Sequence, residues 1–349
     1  MNNRIADIFS QPKSSPVYVI AELSANHNQN LDLALDTVRA MADSGADAVK
    51  VQTFTADSMT LNSDQAWFKT REDSLWAGRR LYELYQEGAL PYAWHEKIMQ
   101  LAQDLGMEFF SSPFDLDAVN FLESLGVPAY KIASFEITDH PLIQAAASTG
   151  KPLIMSTGVA NVTDIQAAVG AARGTGNNQL ALLKCTSAYP TPMLDVNLQN
   201  MQWLKDQHQT LVGLSDHTMG SEVAIASVVL GARIIEKHFI LDRNQGGLDS
   251  AFSMEPHEFA TMVSAIRNVE QALGQYEYQV TDKMQSARRS ARSLFATQDI
   301  APGEILTAAK VRSLRPGLGL HPKHYQEVLG KTAKVAIERG TPLHWDLIQ

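Results

Sequence analysis

Residues 211–239, LVGLSDHTMGSEVAIASVVLGARIIEKHF, decide the fold. Two apolar runs, 211–216 and 233–239, flank a stretch rich in Ala, Val and Ile. The runs have the length and composition of buried parallel strands, and the stretch between them fits a helix. Two parallel strands need a crossover of this kind. Gly231 falls where that helix must stop, in a position that suits a left-handed cap. A histidine lies at the end of each run, His217 just past the first and His238 next to last in the second. Side chains alternate along a strand, so Ser215 shares a face with His217 and Glu236 with His238. The unit thus predicts two imidazoles at the same ends of two neighbouring strands, a candidate divalent-metal site.

Six further strand-like runs precede this unit, at 17–23, 48–53, 108–112, 129–134, 153–157 and 180–187. Helical patterns such as LDLALDTVRAMADSGA lie between most of them. Gly45, Gly106, Gly126 and Gly150 sit near the ends of those helices, and HEFATMVSAIRNVEQAL supplies the last one. Eight β/α units in one block predict a closed (β/α)8 barrel over residues 1–275. A doubly wound open sheet is the alternative, weakened because no G-x-G-x-x-G follows the first strand. Residues 54–90 are too long for an ordinary loop and carry Leu, Trp and Tyr. In a barrel they emerge on the active-site face as a lid, a substrate wall or a helical excursion that only packs. There Tyr82 and Tyr85, with Trp94 just beyond, are read as packing residues. Residues 276–291 are polar and locally basic, with Arg288 and Arg289, and read as a linker. Residues 292–349 form a small domain with short runs broken by Gly and Pro, a core too small to be more than marginal alone.

Composition narrows the function. The formal net charge of −9 over 349 residues argues against non-specific nucleic-acid binding, so an anionic ligand needs local positive groups. Cys185 is the one cysteine, which excludes a disulfide framework and a cysteine-based zinc site. The amino-terminal stretch has no apolar run suited to a signal peptide, and no run approaches the roughly 20 residues of a membrane span. A cytoplasmic protein is expected.

The strand ends carry the chemistry. Lys50 and Gln52 share a face of the second strand. Glu22, Ser112, Lys131 and Ser156 lie near the ends of the first, third, fourth and fifth. A barrel gathers all of these at its carboxyl-terminal mouth, a set far more polar than a packed core accepts. Lys50 and Lys131 with Ser112, Ser134, Ser156 and Ser215 suit an anion such as a phosphate. Some of these serines could instead cap helices. Lys131 or Lys184 could alternatively form a Schiff base with a carbonyl substrate. Glu22, Glu136 and Asp249 are candidate acids, bases or hydroxyl ligands. Cys185 is read as a buried core residue.

The segments IAELSANHNQNLDLAL, GADAVKVQT, FFSSPFD, AYKIASFE, IMSTG, LLKCTSAYPTP, GLSDHT, GARIIEKHF and RPGLGLHP…LGK, in this order, resemble the sialic acid synthase family. The likeness runs from about residue 17 to the end, and the tail resembles the antifreeze-like (SAF) domain that closes those enzymes. AELSANH, MTLNSD, LYELYQ and PYAWH are most similar to the pseudaminic acid branch, ahead of the N-acetylneuraminate and legionaminate branches. The resemblance implies a transferase that condenses phosphoenolpyruvate with an acetamido-sugar aldehyde and water. For the pseudaminic branch that sugar is 2,4-diacetamido-2,4,6-trideoxy-L-altrose. It implies His217 and His238 as metal ligands, with Mn2+ the first choice and Mg2+ or Co2+ possible. It implies phosphoenolpyruvate on Lys50, Ser112, Lys131, Ser134, Ser156 and Ser215. Glu22, Lys131 and Glu136 would act at the reacting centre. Gln52, Tyr189, Asp249 and Arg315 would meet the sugar. It also implies a homodimer that exchanges its tail domains. The rival readings are a Schiff-base aldolase on the same barrel and a non-catalytic sugar- or ice-binding protein.

Overall fold

A computed structural model describes residues 4–70, 76–274 and 277–349. Residues 71–75 of the expected insertion, and residues 275 and 276 at the expected domain boundary, lie outside the described residues. Among the described residues, eight parallel strands close into a barrel in chain order. They are β1 (Tyr18–Glu22), β2 (Ala48–Thr53), β3 (Glu108–Pro113), β4 (Tyr130–Ile132), β5 (Leu153–Ser156), β6 (Leu180–Cys185), β7 (Leu211–Asp216) and β8 (Ile234–His238). β1 pairs with both β2 and β8, which closes the ring and rules out the open sheet. The chain thus has the expected (β/α)8 architecture.

The strands are buried on both faces because side chains fill the interior and helices cover the outside. The helix Leu31–Asp43 shows how a sequence meets that demand. It buries Ala34, Thr37, Val38 and Met41, which fall on one side at helical spacing. The Asn30 side chain accepts from Leu33 N at 3.2 Å and starts it. Gly45, Gly106, Gly126, Gly150 and Gly231 all have positive φ, as expected for turns that end helices. β4 and β6 stop two residues short of the runs read from sequence. β4 ends at Ile132 because Ser134–Thr138 turn into a 3-10 helix, and β6 ends at Cys185 because residues beyond it enter a loop. The insertion holds the short helices Ala56–Met59 and Leu81–Gly88. There Tyr85 packs edge-on against Phe54, and Tyr82 donates to Asp57 at 3.1 Å. At the other end of the barrel the helix Arg4–Ser10 buries Ile5 and Ile8, and Arg4 reaches Asp47 at 2.8 Å.

The chain divides into two compact units, residues 1–274 and 275–349. The second has its own core, in which Leu294, Ile300, Leu306, Val311, Ile337 and Leu343 pack together. Its antiparallel pair is β9 (Ser293–Ala296) and β10 (Val311–Leu314). The stretch read as a plain linker contains the helix Asp282–Ala287 and a 3-10 turn, Arg288–Ser290. Thr281 caps that helix by accepting from Met284 N, a local bond that loop-like composition concealed. No helix among the described residues is long and apolar enough to cross a membrane.

Gly213 in β7 makes the barrel wall testable. A Cβ there would run into the Ile234 carbonyl oxygen and lie 2.6 Å from Leu183 Cδ2. Gly213→Ala is expected to destabilise by about 1–3 kcal/mol through overpacking and to lower Tm in calorimetry. A Tm equal to the parent's contradicts the packing described.

Candidate active site

The inward residues of the strands meet at one carboxylate. Glu236 of β8 is 4 % exposed, and its Oε1 lies 3.5 Å from Lys131 Nζ and 3.6 Å from Lys50 Nζ. Ser215 Oγ donates to the same oxygen at 3.5 Å. Lys50 also forms a close ion pair with Glu22 and donates to Ser112 Oγ at 3.3 Å. Six strands therefore contribute to one buried charged cluster. Burial alone strips a proton from an ammonium. For Lys50 the Glu22 and Glu236 charges more than offset it and hold the group above its usual range. For Lys131 burial prevails over Glu236, and its pKa is lowered. Burial raises Glu22, with Lys50 opposing and Glu236 adding to the rise. Burial also acts to raise Glu236, but Lys131 and Lys50 outweigh it and keep that carboxylate charged.

The histidines stand beside this cluster. His217 lies just past β7 and His238 ends β8, with ring centroids 5.2 Å apart. His217 Nδ1 is 3.1 Å from the Thr186 carbonyl oxygen. An N–H there donates to it and leaves Nε2 with the free lone pair. His238 Nδ1 is buried without a hydrogen-bond partner, with Asp249 Oδ2 3.9 Å away. Burial, then the neighbouring His217, holds His238 well below its usual pKa and so neutral. Asp249 takes a close hydrogen bond from Ser24, and Gln52 Nε2 reaches the Ser24 hydroxyl at 3.4 Å. The Tyr189 ring packs 4.6 Å from that of His217.

A third group of residues borders these. Gly158 N donates to Ser134 Oγ at 3.1 Å. A Cβ on Gly158 would collide with the Ser187 and Ser134 hydroxyls and lie 3.0 Å from Cys185 Sγ. Glycine is needed here to keep a small polar cradle open. Ser156 Oγ, Ser187 Oγ, Glu136 Oε2 and Glu236 Oε2 are all buried without a hydrogen-bond partner, as is His238 Nδ1. Buried polar atoms are normally satisfied, so their concentration here marks a place built for a polar ligand. Glu136 sits in the 3-10 turn after β4, and burial pushes its carboxyl up to about 7.

The structure thus brings together Glu22, Lys50, Ser112, Lys131 and Ser215, and places His217, His238, Asp249, Gln52 and Tyr189 around the histidine pair. Arg315 belongs to the second unit, where it is exposed just beyond β10. Lys184 donates to Thr186 Oγ1 at 2.9 Å and to its neighbour's carbonyl, so its ammonium is engaged in the loop. Cys185 is buried, but it is more than filler, since Sγ is 3.8 Å from His217 Nδ1. Sequence reasoning gave no role to Glu236, though it was visible on the His238 face. It missed Ser24, which lies in a loop, and Ser187, which it took as the last residue of the sixth strand-like run but which lies in the loop beyond Cys185.

Comparison with known proteins agrees with this geometry. Residues 37–278 match the NeuB family and residues 291–349 match the SAF domain. The chain belongs to the NeuB family. The resemblance to sialic acid synthases read from its motifs is borne out. It is 48% identical to a pseudaminic acid synthase of Helicobacter pylori, over 96% of this chain and 98% of that one. It is 37% identical to an N,N'-diacetyllegionaminic acid synthase of Legionella pneumophila, over 100% of this chain and 99% of that one. A crystal structure of N-acetylneuraminic acid synthetase from Leptospira borgpetersenii in complex with citrate superposes with a TM-score of 0.70 at 31% identity. That match covers 78% of this chain and 90% of that one.

For a NeuB-family barrel the histidine pair raises the question of a metal. Among the described residues no three His, Cys, Asp or Glu side chains gather into a ready cage. Two adjacent imidazoles, one with an unpartnered buried nitrogen, fit a divalent ion that keeps positions for water and substrate. The elevated Glu136 carboxyl is directly measurable. Titration followed by carboxyl 13C NMR is expected to show a midpoint at about 7 that disappears in Glu136→Gln. A midpoint in the ordinary carboxylate range contradicts the burial argument.

Proposed function

We propose that this NeuB-family protein is a pseudaminic acid synthase, a transferase. It joins phosphoenolpyruvate to 2,4-diacetamido-2,4,6-trideoxy-L-altrose with uptake of water and release of phosphate. The observation that carries this is the barrel mouth, where two lysines and a set of serines adjoin a histidine pair. The choice of sugar rests on 48% identity to the Helicobacter pylori pseudaminic acid synthase against 37% to the legionaminic enzyme.

In this reading Lys50, Lys131, Ser112, Ser134, Ser156 and Ser215 hold phosphoenolpyruvate. The ammonium groups are already positioned by Glu236, so little reorganisation is needed when charge grows on the departing phosphate. His217 and His238 would hold a divalent ion, Mn2+ foremost with Mg2+ or Co2+ the other choices, and that ion would supply Lewis-acid polarisation of the aldehyde oxygen. Gln52, Tyr189 and Asp249 orient the sugar. Carbon 3 of phosphoenolpyruvate bonds to the aldehyde carbon, water adds to carbon 2, and phosphate leaves by C–O cleavage. Glu136 takes the water's proton. Its carboxyl titrates near neutrality and its Oε2 is unpartnered, whereas Glu22 is tied to Lys50.

The tail domain completes the site in a homodimer that exchanges tails, with Arg315 of one copy reaching the sugar bound by the other. What supports this is the apolar surface on the loops that follow the strands. Leu61, Trp67, Phe135 and Leu194 are 65, 72, 61 and 95 % exposed, unusual for side chains of this size. A reaction that consumes phosphoenolpyruvate places the enzyme in the cytoplasm.

The test is phosphate release from phosphoenolpyruvate with Mn2+, offering the altrose and N-acetylmannosamine in parallel. Release with the altrose alone, stopped by chelator and absent from a chain cut to residues 1–291, is expected. Release with N-acetylmannosamine alone moves the substrate within the family. Release by the cut chain overturns the role of the tail, and no release with either sugar overturns the synthase.

A further inference from the structure

The same strands that point Glu236, His217 and His238 inward carry a second charged pair on their outer faces. Asp216 and Lys237 are register partners across β7 and β8. Each is the chain neighbour of a histidine. Lys237 is fully buried, and its Nζ donates to Asp216 Oδ2 at 2.6 Å. It also donates to the carbonyls of Thr218 at 2.7 Å and Gly220 at 2.8 Å. The three donors of the ammonium are thereby used. Asp216 Oδ1 accepts from Thr218 N at 2.9 Å and from Thr218 Oγ1 at 2.8 Å. One charge therefore pins the whole turn 216–220, which contains His217, to the residue that precedes His238. Gly220, at φ +81°, makes the turn that presents its carbonyl to the ammonium.

A buried ion pair is poor value for stability alone, because an apolar pair of similar volume serves as well. Its use is geometric. The ammonium links Asp216 and Thr218, the chain neighbours on either side of the His217 backbone, to the residue that precedes the His238 backbone. Those backbones are otherwise held separately, His217 O by Thr191 N at 3.0 Å and His238 O by Met254 N at 2.8 Å.

We propose that the Asp216–Lys237 pair is a positioning device that fixes the separation of His217 and His238 for a divalent cation. This rests on the metal reading above. Residues that orient ligands in this way typically change metal affinity about 10–100-fold when lost.

The experiment measures Mn2+ affinity of the full chain by electron paramagnetic resonance of free Mn2+, with no substrate present. The variant is Asp216→Asn with Lys237→Met, which removes both charges and leaves no unpaired ion. Its near-UV circular dichroism and Tm report folding. The expected result is a native fold with Mn2+ binding weakened about tenfold or more, and turnover that returns as Mn2+ is raised. Native folding with parental affinity overturns the proposal. His238→Ala is the control, and equal Mn2+ binding by it and the parent overturns the metal reading itself. Should the double variant fail to fold, Asp216→Asn alone weakens the bond to Lys237 while its amide oxygen still accepts from Thr218, and it is read the same way. Weaker binding supports the proposal and unchanged binding overturns it.

Discussion

The Glu236 carboxylate is the constraint on which the rest of the site depends. Lys50 and Lys131 come from different strands and are almost without solvent, a situation that ordinarily strips the proton from an ammonium. Glu236 Oε1 lies within 3.6 Å of both and gives them a shared counter-charge. The barrel supplies that arrangement because β2, β4 and β8 all aim the relevant residue inward. A one-residue slip of β8 would replace Glu236 and His238 by Lys237 at the mouth, so the register is under strong selection by charge alone. In a chain whose formal net charge is −9, this local concentration of cations is what makes an anionic substrate acceptable.

Alternation along β7 and β8 separates two tasks. Ser215, Glu236 and the histidines face the cavity, where Glu236 Oε2 and His238 Nδ1 have no protein partner. Asp216 and Lys237 face the helices, where every ammonium donor is satisfied. Unsatisfied groups gather where a ligand is expected, and satisfied ones gather where rigidity is. That contrast separates a binding site from a structural ion pair better than charge alone.

Much of this was visible in the sequence, for identifiable reasons. The strands of a parallel barrel are short apolar runs, and helix-ending glycines punctuate them, so the eight units could be placed. His217 and His238 were legible because each closes a strand. Glu236 was visible on the right face but without a role, since its meaning depends on Lys131, over a hundred positions away. Ser24 lies in a loop, where no periodicity indicates direction, and Ser187 was read as a strand end although the strand stops at Cys185. The helix Asp282–Ala287 sits in a polar segment whose composition resembles a linker, and only the Thr281 cap reveals it. The raised Glu136 carboxyl comes from burial in a turn, a property that residue type alone does not carry.

Diffraction from crystals grown with Mn2+ and phosphoenolpyruvate, recorded at the manganese absorption edge, tests the central claim most directly. The account predicts an anomalous peak between His217 and His238 and a phosphate in contact with both Lys50 and Lys131. A metal bound elsewhere, or a phosphate that leaves both lysines on Glu236 untouched, would contradict it.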